Sequence, residues 1–335
     1  MSIEIPDVSK MKKKGIIQMG VDAIIRPPRH HYKESDLSPT EYAPGYGIIR
    51  RHAIQFTNSR GMKLVGSYYP PNEQVAHPSC VIYLHGNASS QLEGQFLVPI
   101  FVPAGVSVLC FDMSGSGNSE GEYISLGYFE KDDVAKAIEF VRTTYHVELV
   151  ALWGRSMGAA TCFYALADDP TIAGAVADSP FASLSLLIKD LAQRVSVPGF
   201  VVSMGSSFIS SKIKKIAHFD PLEVEPVKYA PMCFTPIVII HGENDDFILP
   251  KHSQMIYEKY CGEDKKLYNV PGNHNSERPP DVIIAAVMHL ARCLDAPVVI
   301  DDVSQVLHVG SNHFEDFDHM LAAMGNNDAY FNPDE

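Results

Sequence analysis

Three side chains that together activate a hydroxyl nucleophile occur in this sequence in the order serine, aspartate, histidine. Ser156 lies in the segment 154–158, which reads GRSMG, Asp245 follows the apolar run TPIVIIHG, and His274 follows KKLYNVPGN. A serine hydroxyl attacks a carbonyl carbon only when a base takes its proton, and the base needs an acidic group to orient it. The spacing therefore predicts Ser156 as nucleophile, His274 as general base and Asp245 as the orienting acid.

The segment 154–158 has the Gly-X-Ser-X-Gly pattern of a tight turn between a strand and a helix. It follows the strand-like run VELVALW and precedes the helix-like run AATCFYALA. Small residues must flank the serine because the turn is tight, and the helix that follows points its N terminus at the site. An ordinary glycine-rich turn is the alternative for the pattern alone, and the flanking strand and helix favour a nucleophile turn.

The oxyanion that forms when serine attacks a carbonyl needs preorganised hydrogen-bond donors. We expect one donor to be the backbone N–H of Met157, at the start of the helix. We expect the second in the loop that reads LHGNASS, from the backbone N–H of Asn87, with Ala88 as the alternative.

Other acidic and imidazole side chains compete for these roles. Asp246 is adjacent to Asp245, and Asp178 ends a strand after which some hydrolases place their acid; we favour Asp245 because its spacing after His241-Gly242 is the commoner one. His85 and His241 end strands and are predicted to be structural. No metal and no cofactor is predicted, because the histidines of the C-terminal tail lack tight ligand spacing and a cysteine partner; they are His308, His313 and His319.

The elements that must position these residues alternate between strand and helix, which predicts a mostly parallel sheet covered on both faces. Eight segments are rich in β-branched or aromatic residues and bounded by turn residues. They are 51–58, 63–70, 79–86, 107–112, 147–154, 172–178, 235–242 and 265–272. Helices are predicted over 128–145, 156–167, 251–260 and 280–294. A hairpin followed by six alternating strands is the strand count of the alpha/beta-hydrolase fold.

The motifs HGNASS, FDMSGSGNSEG, WGRSMGA, DSPFASL, HGENDDFI and PGNHNSERP resemble, in order and spacing, those of the alpha/beta-hydrolase superfamily. They are most similar to the serine-aminopeptidase-like hydrolases of plants and protists, over about residues 20–295. The segment IIRPPRHHY is also similar to the leader of that group. The resemblance implies Ser156, Asp245 and His274 as the triad and Asn87 and Met157 at the oxyanion hole.

Three regions are predicted along the chain. Residues 1–50 form a basic and amphipathic leader, residues 51–295 form the hydrolase domain, and residues 296–335 form an acidic tail. Within the domain, the long apolar segment 181–234 interrupts the strand–helix rhythm. We predict that it is a helical lid between the sixth and seventh strands, where both its ends lie at the carboxyl edge of the sheet.

Composition narrows the partners of the 335-residue chain. Its net charge of −13 argues against nucleic acid, since phosphate binding needs a basic face. Six cysteines without CxxC spacing predict reduced thiols and, with no signal-peptide pattern, a cytoplasmic protein. The lysines within 10–14, followed by an isoleucine-rich stripe, predict weak peripheral membrane contact; packing of the isoleucines on the sheet is the alternative. The sequence does not determine an oligomeric state.

These observations predict a serine hydrolase that cleaves an ester or a thioester, with a small or lipid-like hydrophobic acyl substrate suggested by the apolar insertion. Two alternatives remain open. An aminopeptidase would need an acidic anchor for the substrate amine, such as Asp178 or Glu243. A catalytically inactive scaffold acting through its acidic tail would not need the three triad side chains.

Overall fold

Strand and helix patterning produces a sheet with helices on both faces. The computed structural model describes residues 16–37, 40–43, 46–194 and 199–298. Residues 10–14 and the acidic tail beyond 298 lie outside the described residues, and so do the tail histidines considered as metal ligands.

Eight strands form the central sheet, as predicted, and each predicted segment matches a strand to within two residues at either end. A separate two-stranded antiparallel hairpin, β1 (Thr40–Ala43) and β2 (Gly47–Arg50), precedes them and was not predicted. The strands of the main sheet are β3 (His52–Thr57), β4 (Lys63–Tyr69), β5 (Ser79–Leu84), β6 (Val106–Phe111), β7 (Leu149–Arg155), β8 (Gly174–Asp178), β9 (Ile237–Gly242) and β10 (Lys265–Val270).

The strand order places the predicted site at one edge of the sheet. The order is β10-β9-β8-β7-β5-β6-β4-β3, and only β4 runs antiparallel to its neighbours β3 and β6. The parallel strands β5, β7, β8, β9 and β10 therefore end at the same edge. Ligands bind at this carboxyl edge in open α/β sheets.

Helices cover both faces because the central strands are buried on both sides. The helices are α1 (Ile16–Ile25), α2 (Val98–Phe101), α3 (Glu130–Tyr145), α4 (Met157–Asp168), α5 (Leu184–Arg194), α6 (Gly199–Ala217), α7 (Lys251–Lys259) and α8 (Pro280–Cys293). One apolar cluster joins the sheet to α1, α3, α4, α5, α6 and α7, and a second joins the other face to α2, α8 and the β1–β2 hairpin. Strand neighbours such as Leu152 and Trp153 divide between the two clusters, as the period of two along a strand requires.

The described part of the leader is packed onto the domain. Val21 and Ile25 of α1 are fully buried, and α1 packs against α6. Further along, Arg29 donates to the carbonyl oxygens of Gly115, Ser119 and Gly121 at 3.2, 3.2 and 2.6 Å. This placement is that of the packing alternative for Ile25, while membrane contact through residues 10–14 stays a prediction.

The insertion between β8 and β9 is helical. It contains α5 and α6 and three short 3-10 turns, Pro221–Glu223, Pro226–Lys228 and Ala230–Met232. Leu184 and Leu187 of α5 are buried in the same apolar cluster as the sheet, and Ile188 and Leu191 are half-buried against it. The insertion therefore completes the core on one face. It leaves the sheet at the carboxyl edge after β8 and returns at the opposite edge, because β9 is parallel to β8, so the prediction that both its ends lie at the carboxyl edge is wrong.

Candidate active site

The nucleophile turn forms where β7 ends and α4 begins. Ser156 lies between them with φ 51° and ψ −112°, a backbone conformation that side-chain-bearing residues rarely adopt. Its N–H donates to the carbonyl of Asp178 at the end of β8 at 2.8 Å. A Cβ at Gly154 would lie 2.4 Å from the Gly158 oxygen, and one at Gly158 would lie 2.0 Å from the Leu84 oxygen. Both glycines are therefore required by close backbone approach, as the tight turn predicted.

The structure brings Ser156, His274 and Asp245 together from three separate loops. The Ser156 Oγ lies 3.1 Å from His274 Nε2, and His274 Nδ1 lies 2.7 Å from Asp245 Oδ2. An ionised carboxylate only accepts hydrogen bonds, so Nδ1 carries the proton and Nε2 is left to accept the serine proton. The arrangement has the hydrogen bonds of a nucleophile, base and acid.

Asp245 is held in place by bonds on both of its oxygens. Its Oδ1 accepts the backbone N–H groups of Phe247 and Ile248 at 3.0 and 2.8 Å, while Oδ2 faces His274 and lies 3.3 Å from His241 Nε2. Although burial opposes ionisation, the imidazoles of His274 and His241 hold the pKa of the Asp245 carboxyl well below its ordinary value. The carboxylate is therefore charged and fixed at neutral pH.

The competing residues have other partners. Asp178 forms a buried ion pair with Arg278, and Asp246 forms an exposed one with Arg194 at 2.7 Å. His85 accepts the N–H of Met113 on Nε2 at 3.1 Å and donates from Nδ1 to its neighbour's carbonyl. His241 bridges Ser253 and the carbonyl of Ile248, and it is structural except that it also flanks Asp245.

The predicted oxyanion donors flank the serine. Met157 is the first residue of α4 and directly follows Ser156. Gly86, which precedes Asn87, packs against Ser156: a Cβ atom built on Gly86 would lie 3.7 Å from the Ser156 Cβ. Within the described part of the chain, the backbone N–H groups of Asn87 and Met157 donate to no other group. Ala88 has φ 57°, which turns the chain sharply after Asn87. These two amides remain the predicted donors.

Several residues around the triad were missed by sequence reasoning. They are the buried charged residues Glu93, Arg155 and Arg278 and the second imidazole on Asp245, His241. Arg155 carried a signal, because an arginine between an apolar strand and a nucleophilic serine must be paired when it is buried. Glu93 and Arg278 lie in stretches without periodicity, so their pairing could not be found from spacing.

A hydrophobic ring closes one side of the imidazole. The Phe247 and His274 rings lie edge to face, with centroids 5.1 Å apart.

In the described ranges, no group of three or more His, Cys, Asp or Glu side chains is placed to hold a metal ion, and none of the helices is long and apolar enough to cross a membrane. All six cysteines are free thiols.

Comparison with known proteins agrees with this architecture. Residues 76–219 match the model of the serine aminopeptidase family S33. The esterase Pf2001 of Pyrococcus furiosus superposes with a TM-score of 0.60 at 21% identity, covering 80% of this chain and 98% of its own. Acetyl xylan esterase 1 of Thermoanaerobacterium gives a TM-score of 0.55 at 16% identity, over 82% and 92% of the two chains. The chain has the alpha/beta-hydrolase fold.

Two curated proteins are similar to this chain in sequence. The uncharacterized protein YqkD of Bacillus subtilis is 28% identical over 66% of this chain and 71% of its own length. The probable lysophospholipase L2 of Haemophilus influenzae is 34% identical over 44% of this chain and 45% of its own. Within that fold, the chain resembles the serine-aminopeptidase-like hydrolases, whose family model it matches over residues 76–219.

Proposed function

We propose that this chain is a serine hydrolase that cleaves esters or thioesters with a hydrophobic acyl group, through an acyl-enzyme intermediate. The observation that carries the proposal is the continuous hydrogen-bond line from the Ser156 hydroxyl through His274 to Asp245, at 3.1 and 2.7 Å. This line of bonds supports transfer of the Ser156 proton to His274 Nε2, with Asp245 orienting the imidazole.

The chemistry follows from the geometry. Ser156 Oγ attacks the carbonyl carbon while its proton moves to His274 Nε2, and the oxyanion is stabilised by the amides of Asn87 and Met157. The tetrahedral intermediate collapses, the proton passes from His274 to the departing alkoxide or thiolate, and the acyl group stays on Ser156. Water then attacks the acyl-enzyme, giving its proton to His274, and the acid is released with Ser156 restored.

The hydrophobic acyl group is supported by the surroundings of the site. The Phe247 ring lies against His274, and the apolar insertion begins at the carboxyl edge of the sheet, directly after β8. A relative in Haemophilus influenzae carries the name of a probable lysophospholipase. These three features favour esters with a hydrophobic acyl group over esters with a small polar acyl group.

An aminopeptidase activity is less well supported, because Asp178, one of its two candidate acidic anchors, is already paired with Arg278. Asp178 is buried and ion-paired with Arg278 at 3.0 Å, so its charge is not available to a substrate ammonium group. Glu243, the other candidate anchor, is exposed after β9.

Labelling with a fluorophosphonate probe, followed by turnover of p-nitrophenyl esters, acyl thioesters and aminoacyl p-nitroanilides, tests the proposal. Wild-type protein should be labelled and should turn over the esters or thioesters, while Ser156→Ala should lose labelling and at least about a thousandfold in kcat. Ser107→Ala, at a buried serine near the start of β6, is the control and should still be labelled. Labelling of the Ser156→Ala protein, or turnover of the anilides alone, would overturn the assignment.

A further inference from the structure

Two ion pairs are buried beside the proposed nucleophile. Arg155 Nη1 lies 3.1 Å from Glu93 Oε1, with side chains 2% and 6% exposed. Arg278 binds both carboxylate oxygens of Asp178 at 3.0–3.1 Å, with both side chains almost fully buried. Four charges are therefore withdrawn from water at one edge of the sheet.

Both arginines donate to the same backbone atom. Arg155 Nη2 lies 2.9 Å and Arg278 Nη2 lies 3.2 Å from the carbonyl oxygen of His274. A carbonyl oxygen has two lone pairs and accepts both bonds. Arg278 also donates to the carbonyls of Asn273 and Ser276, at 3.0 and 3.1 Å. The loop that carries the imidazole is thus held from two sides.

Each ion pair is also connected to another part of the site. The second oxygen of Glu93 accepts the N–H of Gly86, in the loop of the predicted oxyanion donor, at 2.8 Å. The backbone oxygen of Asp178 accepts the N–H of Ser156 at 2.8 Å, and Asp178 lies opposite Arg155 in the β7–β8 register. The oxyanion loop, the nucleophile turn and the histidine loop therefore share one connected set of buried charges.

Fold stability alone does not explain this set. A buried ion pair pays a desolvation penalty that often equals or exceeds its attraction, and apolar residues of the same volume frequently replace such a pair without loss of stability. The groups nevertheless stay charged. Although burial opposes ionisation, Arg278 and Arg155 hold the pKa of the Asp178 carboxyl below its ordinary value. Burial also opposes the charge on Arg155, but Glu93 and Asp178 raise the pKa of its guanidinium above the ordinary value.

We propose that the Arg155–Glu93 and Arg278–Asp178 pairs act together as a positioning device that fixes His274 relative to Ser156 and to the oxyanion loop. The proposal rests on the triad chemistry proposed above. None of the four side chains contacts the reacting atoms, so they are positioning residues. Displacement of a reacting group by about 1 Å costs on the order of a hundredfold in rate.

The test is the paired replacement Arg155→Met with Glu93→Gln, which removes both charges while keeping similar volumes and an acceptor for Gly86. The single Arg155→Met variant would leave a buried unpaired carboxylate and could fail to fold, which is why the pair is changed together. The matched control is Arg142→Met with Asp169→Asn, a half-exposed pair 3.3 Å apart that links α3 to the residue after α4.

The readouts separate positioning from stability. For p-nitrophenyl butyrate we expect the paired variant to lose about 30- to 100-fold in kcat with KM changed less than twofold. Arg155→Lys, which keeps the charge but not the planar fork, should recover part of this loss. The low-field proton NMR resonance of the His274 Nδ1–H should shift or broaden in the paired variant and stay unchanged in the control.

Unchanged kcat in a folded paired variant, or lower kcat with an unmoved Nδ1–H resonance, would overturn the positioning role. The proposed function fails separately. If wild-type protein shows no labelling that depends on Ser156, the triad chemistry is wrong, whereas full-rate labelling of both wild type and paired variant ends only the positioning proposal.

Discussion

The edge of the sheet that carries Ser156 and the insertion that lies beside it are held by different kinds of contact. At the edge, buried charged groups bond to each other and to the backbone: they are Glu93, Arg155, Asp178, Asp245 and Arg278. In the insertion, the buried contacts are mainly apolar: they involve Leu184, Leu187, Ile213 and Phe219. Directional bonds fix atoms at defined distances, while apolar burial is non-directional. The contacts at the edge therefore fix the positions of the side chains of the site, whereas the contacts of the insertion mainly cover the core.

Polar contacts join the insertion to the segment that follows β9. Asp190 of α5 accepts from His252 Nε2 at 3.0 Å and from Lys251 Nζ at 2.6 Å, at the start of α7. Arg194, at the end of α5, pairs with Asp246, next to the proposed catalytic acid. Substitutions made separately in the sheet edge and in the insertion test whether the geometry of the site depends on the packing of the insertion.

The largest effect is expected at the acid. Asp245→Asn should lower kcat about 10⁴-fold, because the amide no longer accepts the Nδ1–H and leaves the imidazole in the wrong tautomer. Asp246→Asn is the matched control: it removes only the exposed bond to Arg194 and should change kcat by less than about threefold. The rate of acyl-enzyme formation measures both, and equal losses would move the acid role to Asp246.

The next effect is on stability at low pH. His252 is fully buried, accepts the N–H of Ala182 on Nδ1 at 3.0 Å, and burial lowers its pKa from 6.5 to about 4, even though Asp190 acts in the opposite direction. As the pH falls from about 6.5 to about 4, the unfolded chain takes up this proton while the folded one does not. The free energy of unfolding should therefore fall over that window, by on the order of 2–3 kcal/mol from this group.

His252→Gln should remove that part of the acid sensitivity. Urea unfolding at pH 7.5 and at pH 4.5 measures the difference for each protein, and the exposed His31→Gln variant serves as control. The same acid-induced loss in His252→Gln and in the control would show that another group is responsible.

The smallest expected effect concerns acyl selectivity. If the insertion provides the acyl-binding surface, kcat/KM for p-nitrophenyl esters should rise roughly fourfold per methylene until the surface is filled, since each buried CH₂ contributes about 0.8 kcal/mol. Ile188→Ser, at a half-buried position of α5, should flatten this rise while leaving acetyl ester turnover unchanged. Leu222→Ser, at an exposed position of the same insertion, should not. Parallel slopes in all three proteins would assign selectivity to another surface.

The triad geometry was predictable because its chemistry imposes a chain order and places each residue directly after a strand. Ser156, Asp245 and His274 each follow an apolar run that forms a strand, so local pattern and reaction chemistry pointed to the same positions. The eight strands were predictable for the same reason: buried parallel strands are short apolar runs bounded by turn residues.

What the sequence did not reveal depends on contacts between distant segments. Glu93 meets Arg155 across 62 residues, and Arg278 meets Asp178 across 100, and no local pattern encodes such pairs. The β1–β2 hairpin has only four residues in each strand, which is too short for a periodic signal. Leu184 and Leu187 follow helical spacing in the sequence, and that spacing alone did not distinguish a roof over a pocket from a core helix.

The left-handed backbone of Ser156 has a consequence for how this chain can change over generations. A side-chain-bearing residue held in a rarely populated conformation costs on the order of 1–3 kcal/mol, and glycine at the same position does not carry that cost. At this position, selection for stability therefore favours glycine, whereas selection for catalytic turnover favours serine. In a lineage released from the need for the reaction, replacement of Ser156 by glycine would be favoured. A descendant that has glycine at position 156 but otherwise keeps this sequence would be a protein selected for its structure and not for its catalytic activity.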